Sequence, residues 1–265
     1  MAELTVTAGI GRRRHTLAWF GFALTLLAGI LLALAPLGWR LGLWSFDASF
    51  AYLMAPVPFV ALAGFVLSLL ALFGWRRGSG ASRVAAVLGL GLGVALIYYP
   101  LHFYALAFPL PILHTTPLPP INDITTDVAD PPQFAATLAA RAAEHGASPV
   151  YGGPALARQQ QAGYPDVAPL QTTLPPAEAF GRALAVAQTM PRWTIVSSNP
   201  ETGIIEGSAR TFFMGFTDDF VIRVRPEGSG SRIDMRSESR QGVSDLGANA
   251  ERIRGYLAAL KAKLS

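Results

Sequence analysis

The chain of 265 residues contains no cysteine. That excludes disulfides, zinc–thiolate sites and thiol chemistry, while leaving the compartment open, because cytosolic and envelope proteins can both lack the residue. Charge is scarce as well. Only 14% of the residues are charged against 51% hydrophobic, where a soluble domain carries about 25% charged residues. The shortfall points to segments that sit in lipid. A basic excess is also missing from the part of the chain where a nucleic-acid-binding domain would need one. The formal charge of +4 comes from residues 1–108, a formal +5, where Arg12, Arg13, Arg14, Arg40, Arg76, Arg77 and Arg83 stand against Glu3 and Asp47. Residues 109–265 hold fourteen basic and fifteen acidic groups, a formal −1, so DNA and RNA are not expected partners.

Uninterrupted apolar sequence is what the first half has in quantity. Thr16–Ala35 and Val84–Phe108 carry no charged residue, and Tyr52–Phe73 confines Pro56 and Pro58 to its first turns. At about 1.5 Å per residue, each is long enough for a bilayer core of about 30 Å. Pro100 predicts a kink or an end in the third span. Arg12–Arg14 precede the first span, and Arg76, Arg77 and Arg83 lie between the second and third. The loop between spans one and two has only Arg40, offset by Asp47. The positive-inside rule places the arginine-rich segments in the cytoplasm. Three crossings then carry residues 109–265 to the other side, the periplasm in the case of a bacterial inner membrane. Trp19, Trp39, Trp44 and Trp75 fall near span ends, where an indole suits the headgroup layer. An alternative makes span one a signal peptide with Ala33-Leu34-Ala35 as its cleavage motif, against which stands an apolar stretch longer than an h-region. Gly89 and Gly93 have the GxxxG spacing of close helix packing, and His102 reads as an interface residue because no acidic partner occurs in the spans.

Pro109–Pro120 has five prolines in twelve residues and reads as an extended spacer. A helix from Pro131 or Pro132 to His145 follows, with Asp130 as its N-cap, and then a loop to Gly163. From Tyr164 the pattern is that of an α+β domain. A strand within Asp166–Leu174 precedes a helix over Pro175–Met190. Strands follow at Trp193–Ser198, Ile204–Thr211, Asp219–Arg225 and Arg232–Ser239. A last helix bears Leu246, Ala250, Ile253, Leu257, Leu260 and Leu264 in one stripe. The expectation is three transmembrane helices (1–108), a linker (109–120) and an α+β domain (121–265, core 164–264). Its antiparallel sheet, in the order β-α-β-β-β-β-α, has helices on one face and a polar, solvated opposite face.

Several segments carry a resemblance: ITTDVADPPQF, YGG with the following QQQAGYPDVAPL, FMGFTDDFVIRV and DMRSESRQGVSDLGANAERIR. They resemble the uncharacterised family called domain of unknown function 1499, over about Ile121–Leu264 and most strongly from Trp193 onward. Its pattern RSxSRxGxSDxGxNxxRI is met at Arg236, Ser237, Ser239, Arg240, Gly242, Ser244, Asp245, Gly247, Asn249, Arg252 and Ile253. The resemblance implies the fold and the domain boundary, and no activity.

The stretch from Ser237 to Arg254 admits three readings. As wiring, Ser244 or Asp245 caps the last helix. Gly242 and Gly247 allow the passage from strand to helix, and Arg236 and Arg240 pair with Asp218, Asp219 or Asp245. As a binding site, Arg236, Arg240 and Arg252 converge near a helix N-terminus that suits a phosphate or carboxylate, with Asp218, Asp219, Ser244, Asp245 and Asn249 in support. As a catalytic site, Ser237, Ser239 or Ser244 would need a base, and the soluble half offers only His114 and His145, far upstream. No SxxK, GxSxG or HExxH motif is present. Asp218 and Asp219 point to opposite faces of a strand and form no dyad by spacing. The alternating charges Arg223, Arg225, Arg232, Asp234, Arg236 and Glu238 read as cross-strand pairs on a solvent face. The function expected is a non-catalytic, envelope-facing module that binds a protein, a lipid or another anionic ligand such as a glycan, with an envelope enzyme as the alternative. No cofactor and no metal site are expected, and the oligomeric state is left open.

Overall fold

The computed structural model describes residues 2–73, 79–107, 118–144 and 146–264. Trp75, Arg76, Arg77, residues 109–117 of the proline-rich stretch with His114, and His145 lie outside them, as do the side chains of Arg12, Arg13, Arg14 and His102. The chain divides into two compact units, Met1–Ala105 and Leu106–Ser265.

The first unit is helical. Helix α1 (Ala2–Arg40) is followed by a short α2 (Phe46–Ala48), a π-helical turn over Ser49–Met54, α3 (Val57–Leu72) and α4 (Gly80–Ala107). Three stretches, His15–Arg40, Phe46–Leu72 and Gly80–Tyr98, are long and apolar enough to cross a membrane by length and composition. Pro100 does not end the third helix, which runs on to Ala107. Small residues let the helices close on one another. A Cβ on Gly64 would stand 2.7 Å from the Gly21 carbonyl oxygen and 2.8 Å from the Thr25 nitrogen. Gly89 backs onto Ser68, and a Cβ on Gly93 would come within 2.9 Å of the Phe65 Cβ, whereas Gly91 opens onto space. The glycines spaced as GxxxG thus face neighbouring helices, where each substituent would meet another chain segment.

The second unit is α+β. Its elements are β1 (Asp123–Thr125), α5 (Leu138–Ala143), α6 (Gly153–Gly163), β2 (Leu170–Thr172), α7 (Pro176–Thr189), β3 (Trp193–Asn199), β4 (Ile204–Arg210), β5 (Thr217–Glu227), β6 (Gly230–Ser239) and α8 (Ala248–Leu264). The strands form one antiparallel sheet in the order β1-β6-β5-β4-β3, with β2 also paired to β6. A two-residue turn joins β5 to β6. Glu227 pairs with Gly230, and Gly228 takes φ 58°, the left-handed conformation that such a turn asks of its first residue.

Alternation along the strands sorts the side chains into two layers. Ile205, Phe220, Ile222, Val224, Ile233 and Met235 face α7 and α8 and form the apolar core with Ala183, Ala187, Ala250, Ile253, Tyr256 and Leu260. The Trp193 ring stacks on Tyr256 at 5.5 Å, and the Tyr256 hydroxyl donates to the Ala183 carbonyl at 3.0 Å. The stripe of the last helix starts at Ala250, because Leu246 precedes the helix at φ 52°.

The opposite sheet face differs from expectation. It is charged but not solvated, because residues 126–144 and 146–150 lie across it. Asp219, Asp234 and Arg236 are fully buried there, and Glu206, Glu238 and Arg240 nearly so. The helix read from Pro131 is correspondingly short, starting at Leu138. Asp130 caps nothing and instead binds Arg223 and Arg225. The loop expected before Gly163 contains α6, whose buried Gln160 amide accepts from the Thr125 N–H (2.9 Å) and donates to the Thr125 carbonyl (2.7 Å). That side chain takes the place of a neighbouring strand beside β1.

Candidate functional site

The charged layer is built from the even-numbered positions of β6, which alternation turns away from the core. At its centre Arg236 forms a fork on Asp123, with Nε and Nη2 each 2.9 Å from a carboxylate oxygen. The same guanidinium donates to the carbonyls of Pro132 (3.4 Å) and Pro149 (2.9 Å). Its Cζ lies over the rings of Phe134 (4.7 Å) and Tyr151 (5.5 Å), a geometry available to a planar cation.

Two further arginines meet at Asp219. Arg141 Nε donates to it from α5 at 3.0 Å, and Arg240 reaches it through Nε and Nη2, the closer contact being 2.7 Å. Ser208 adds a hydroxyl at 2.8 Å. Arg141 also approaches Glu238 at 3.3 Å. The remaining Nη1 of Arg240 points outward, to Glu144 at 2.7 Å, a carboxylate whose side chain is 41% exposed.

Nearby, Glu206 on β4 accepts from the backbone N–H groups of Ala135, Ala136 and Thr137 at 2.7–3.0 Å and from the Thr137 hydroxyl at 2.7 Å. The carboxylate thereby satisfies donors that the start of α5 would otherwise leave bare. At the hairpin end, Arg223, Arg225 and Arg232 interlock with Asp127, Asp130 and Asp234.

Protonation follows from this burial. Glu238 is pushed up to about 8, first by desolvation and then by Asp123, with Arg141 and Arg236 pulling the other way. Burial also raises Asp123, although Arg236 opposes it. Tyr151 is driven up to about 12 by burial and by Asp123. In the hairpin cluster, backbone N–H groups of Asp130 and Ala129 with Arg232 and Arg225 outweigh desolvation and lower Asp127.

The three arginines singled out from the sequence do not converge. Arg236 and Arg240 lie in the covered charge layer, while Arg252 is on the helix side of the sheet. There it pairs with Asp218 and donates to Ser237 (3.0 Å) and Asn249. Asp218 and Asp219 are split between the two faces, as adjacent strand residues must be. Asn249 bonds Ser237 (2.7 Å), Ser239 (3.0 Å) and the Asn122 carbonyl (2.9 Å). Asp245 accepts from the N–H groups of Gly247 (2.8 Å) and Asn249 (2.7 Å) at the start of α8. Burial raises its carboxyl in spite of those bonds. Ser244 makes only a long contact with the Leu246 N–H.

Sequence reasoning missed Asp123, Asp127, Arg141, Glu144 and Glu206 as partners of the charged strands. One signal was available: every basic residue on β5 and β6 is arginine, never lysine, and arginine is the cation suited to buried, bidentate pairing. Among the described residues no cluster of three or more potential metal ligands occurs.

A family model described as protein of unknown function (DUF1499) matches residues 123–260. No curated protein matches the sequence. Among solved structures, the crystal structure of Ara h 8.0201 is 12% identical, with 36% of this chain and 93% of that chain covered and a TM-score of 0.23. The crystal structure of TTHA0849 from Thermus thermophilus is 13% identical, covers 37% of this chain and 97% of that one, and has a TM-score of 0.24. Likeness at that level carries no argument about this chain.

Proposed function

The chain belongs to the DUF1499 family, of unknown function, and from that premise we propose an integral membrane protein whose C-terminal domain faces away from the cytoplasm and binds an anionic group without catalysis. The arginines flanking the first and third spans support this orientation under the positive-inside rule. In a bacterial inner membrane it places the domain in the periplasm, within reach of envelope proteins, lipids and glycans. A periplasm-only reporter fused after Ser265 should be active, and activity of a cytoplasmic reporter there would reverse the assignment.

The observation that carries the binding reading is the Arg240–Glu144 pair. Arg236 is enclosed and Arg252 is held by Asp218, but one edge of the Arg240 guanidinium meets a half-exposed carboxylate. A phosphate or carboxylate from outside would take the place of Glu144 there while Asp219 keeps the guanidinium in position. Glu144→Gln removes the resident competitor and leaves Arg240–Asp219 intact. Native mass spectrometry of the full chain from membranes should show an anionic adduct, retained more strongly by Glu144→Gln. Bare protein in both forms would refute the reading.

The alternative of an envelope enzyme has one observation in its favour, the Glu238 carboxyl, buried between Arg141 (3.3 Å) and Arg236 (3.3 Å) with a raised pKa, a pattern found at acid–base sites. Turnover abolished in a stably folded Glu238→Gln would select it.

A further inference from the structure

One end of the sheet carries features that the charge layer does not use. The β4–β5 loop, the β6–α8 loop and the α7–β3 link all meet there. Thr211 and Phe216 close the first loop by a backbone bond, the Arg240 N–H donates to the Thr217 carbonyl, and the Arg210 N–H donates to the Arg192 carbonyl. On this rim Phe212 is 76% exposed and Val243 is 82% exposed, while Met214 of the same loop is turned inward. Arg192 lies over the Phe212 ring at 5.6 Å and donates through Nε to the Arg210 carbonyl at 3.2 Å. Among the described residues neither Arg192 nor Arg210 forms an ion pair. The neighbouring carboxylates are turned inward, Asp218 to Arg252 and Asp245 to the start of α8.

The backbone is strained at the same place. Among the described residues, Arg192 (φ 62°) and Leu246 (φ 52°) are the non-glycine positions in the left-handed region, and both belong to this rim. Such a conformation disfavours a residue with a side chain, so an arginine at 192 is held against local preference, where glycine would be more comfortable.

We propose that this rim docks on an anionic bilayer surface, with Phe212 and Val243 entering the headgroup layer and Arg192 and Arg210 meeting lipid phosphates. Exposed apolar tips ringed by unpaired arginines have the chemistry of an interfacial contact. The apolar side chains leave water, and each arginine near an anionic surface strengthens binding about five-fold. The inference rests on the three spans lying in a bilayer, and is independent of any ligand at Arg240.

The absence of cysteine provides the test. The full chain with Val243→Cys bearing a polarity-sensitive fluorophore is reconstituted into nanodiscs of phosphatidylcholine alone or mixed with phosphatidylglycerol. Val196→Cys on β3, also exposed, is the control. The Val243 probe should shift to the blue and be quenched by spin-labelled lipid in the anionic discs, increasingly so at low salt, while the Val196 probe stays in water. Arg192→Gly relieves the backbone and removes the charge, so it should weaken the quenching several-fold with stability unchanged or raised; Arg210→Gln should weaken it similarly. A Val243 probe that reads water in both lipids overturns the proposal, as does quenching indifferent to both substitutions. Protection of Val243 by a co-purifying protein in place of lipid overturns it too. Failure of the chain to enter nanodiscs at all would count against the membrane assignment itself.

Discussion

Arg236 is engaged by Asp123, Glu238, two carbonyls and two aromatic rings. Arg236→Ala would leave Asp123 buried without its partner, and losses of this kind run to about 3–5 kcal/mol. Replacing both members, as in Asp123→Leu with Arg236→Met, removes the orphaned charge and should recover much of the loss. Chemical denaturation of the single and double variants checks the difference. Glu238 supplies a second prediction. Its carboxyl is pushed up to about 8 in the folded protein, above an unfolded value of about 4.3. Its contribution to stability is therefore complete below the unfolded pKa and is lost as pH rises through the folded one. The melting temperature should fall from about pH 4 to about pH 8 and level off above it, and fall less in Glu238→Gln, which keeps the neutral form throughout.

Among the elements, α5 depends most on a residue far away in sequence. Glu206 caps it from β4, sixty-nine residues beyond Thr137. Glu206→Ala would leave the buried Thr137 N–H unmatched, at about 1–3 kcal/mol, and take their acceptor from the part-buried N–H groups of Ala135 and Ala136. Hydrogen exchange at Ala135–Thr137 and through α5 should accelerate, while β5 and β6 stay protected. The long elements were legible in the sequence because each shows its period. Phe220, Ile222 and Val224 alternate as a strand does, and Ala250, Ile253, Leu257 and Leu260 recur as a helix does. The short elements were not. Three-residue β1 has no period to read, and α6 is disguised by its glutamines, one of which faces inward to serve the β1 backbone. The cover over the sheet was hidden for a different reason. An arginine–aspartate alternation looks the same whether water or another segment lies above it, so the arginines of the candidate site were legible as residues but not as a buried layer.

At the scale of the whole molecule, each of the two units has its own means of cohesion. The helical unit closes on glycines and small hydroxyl residues, while the α+β unit has an apolar core beneath its sheet and an ionic layer above it. Among the described residues, the ion pairs that hold the cover lie within residues 118–264. A chain limited to residues 118–265 should therefore fold by itself and unfold in one cooperative transition. Coincident near- and far-ultraviolet circular dichroism melts test this, and separated melts would show that cover and core unfold separately.

Besides the ion pairs of Asp127, Asp130, Arg141 and Glu144, the cover is gripped through its main chain. Pro132 and Pro149 offer carbonyls to Arg236, Ala135 and Ala136 offer N–H groups to Glu206, and the Ala147 N–H donates to the Arg240 carbonyl. A main-chain grip is indifferent to which side chain the gripped residue carries. In a saturation library scored for folded protein, Ala135, Ala136 and Ala147 should accept many replacements, whereas Arg236, Asp219 and Glu206 should accept almost none. At those positions the information that fixes the cover in place is thus written in the strands beneath it, leaving that part of the outer surface open to change without loss of the fold.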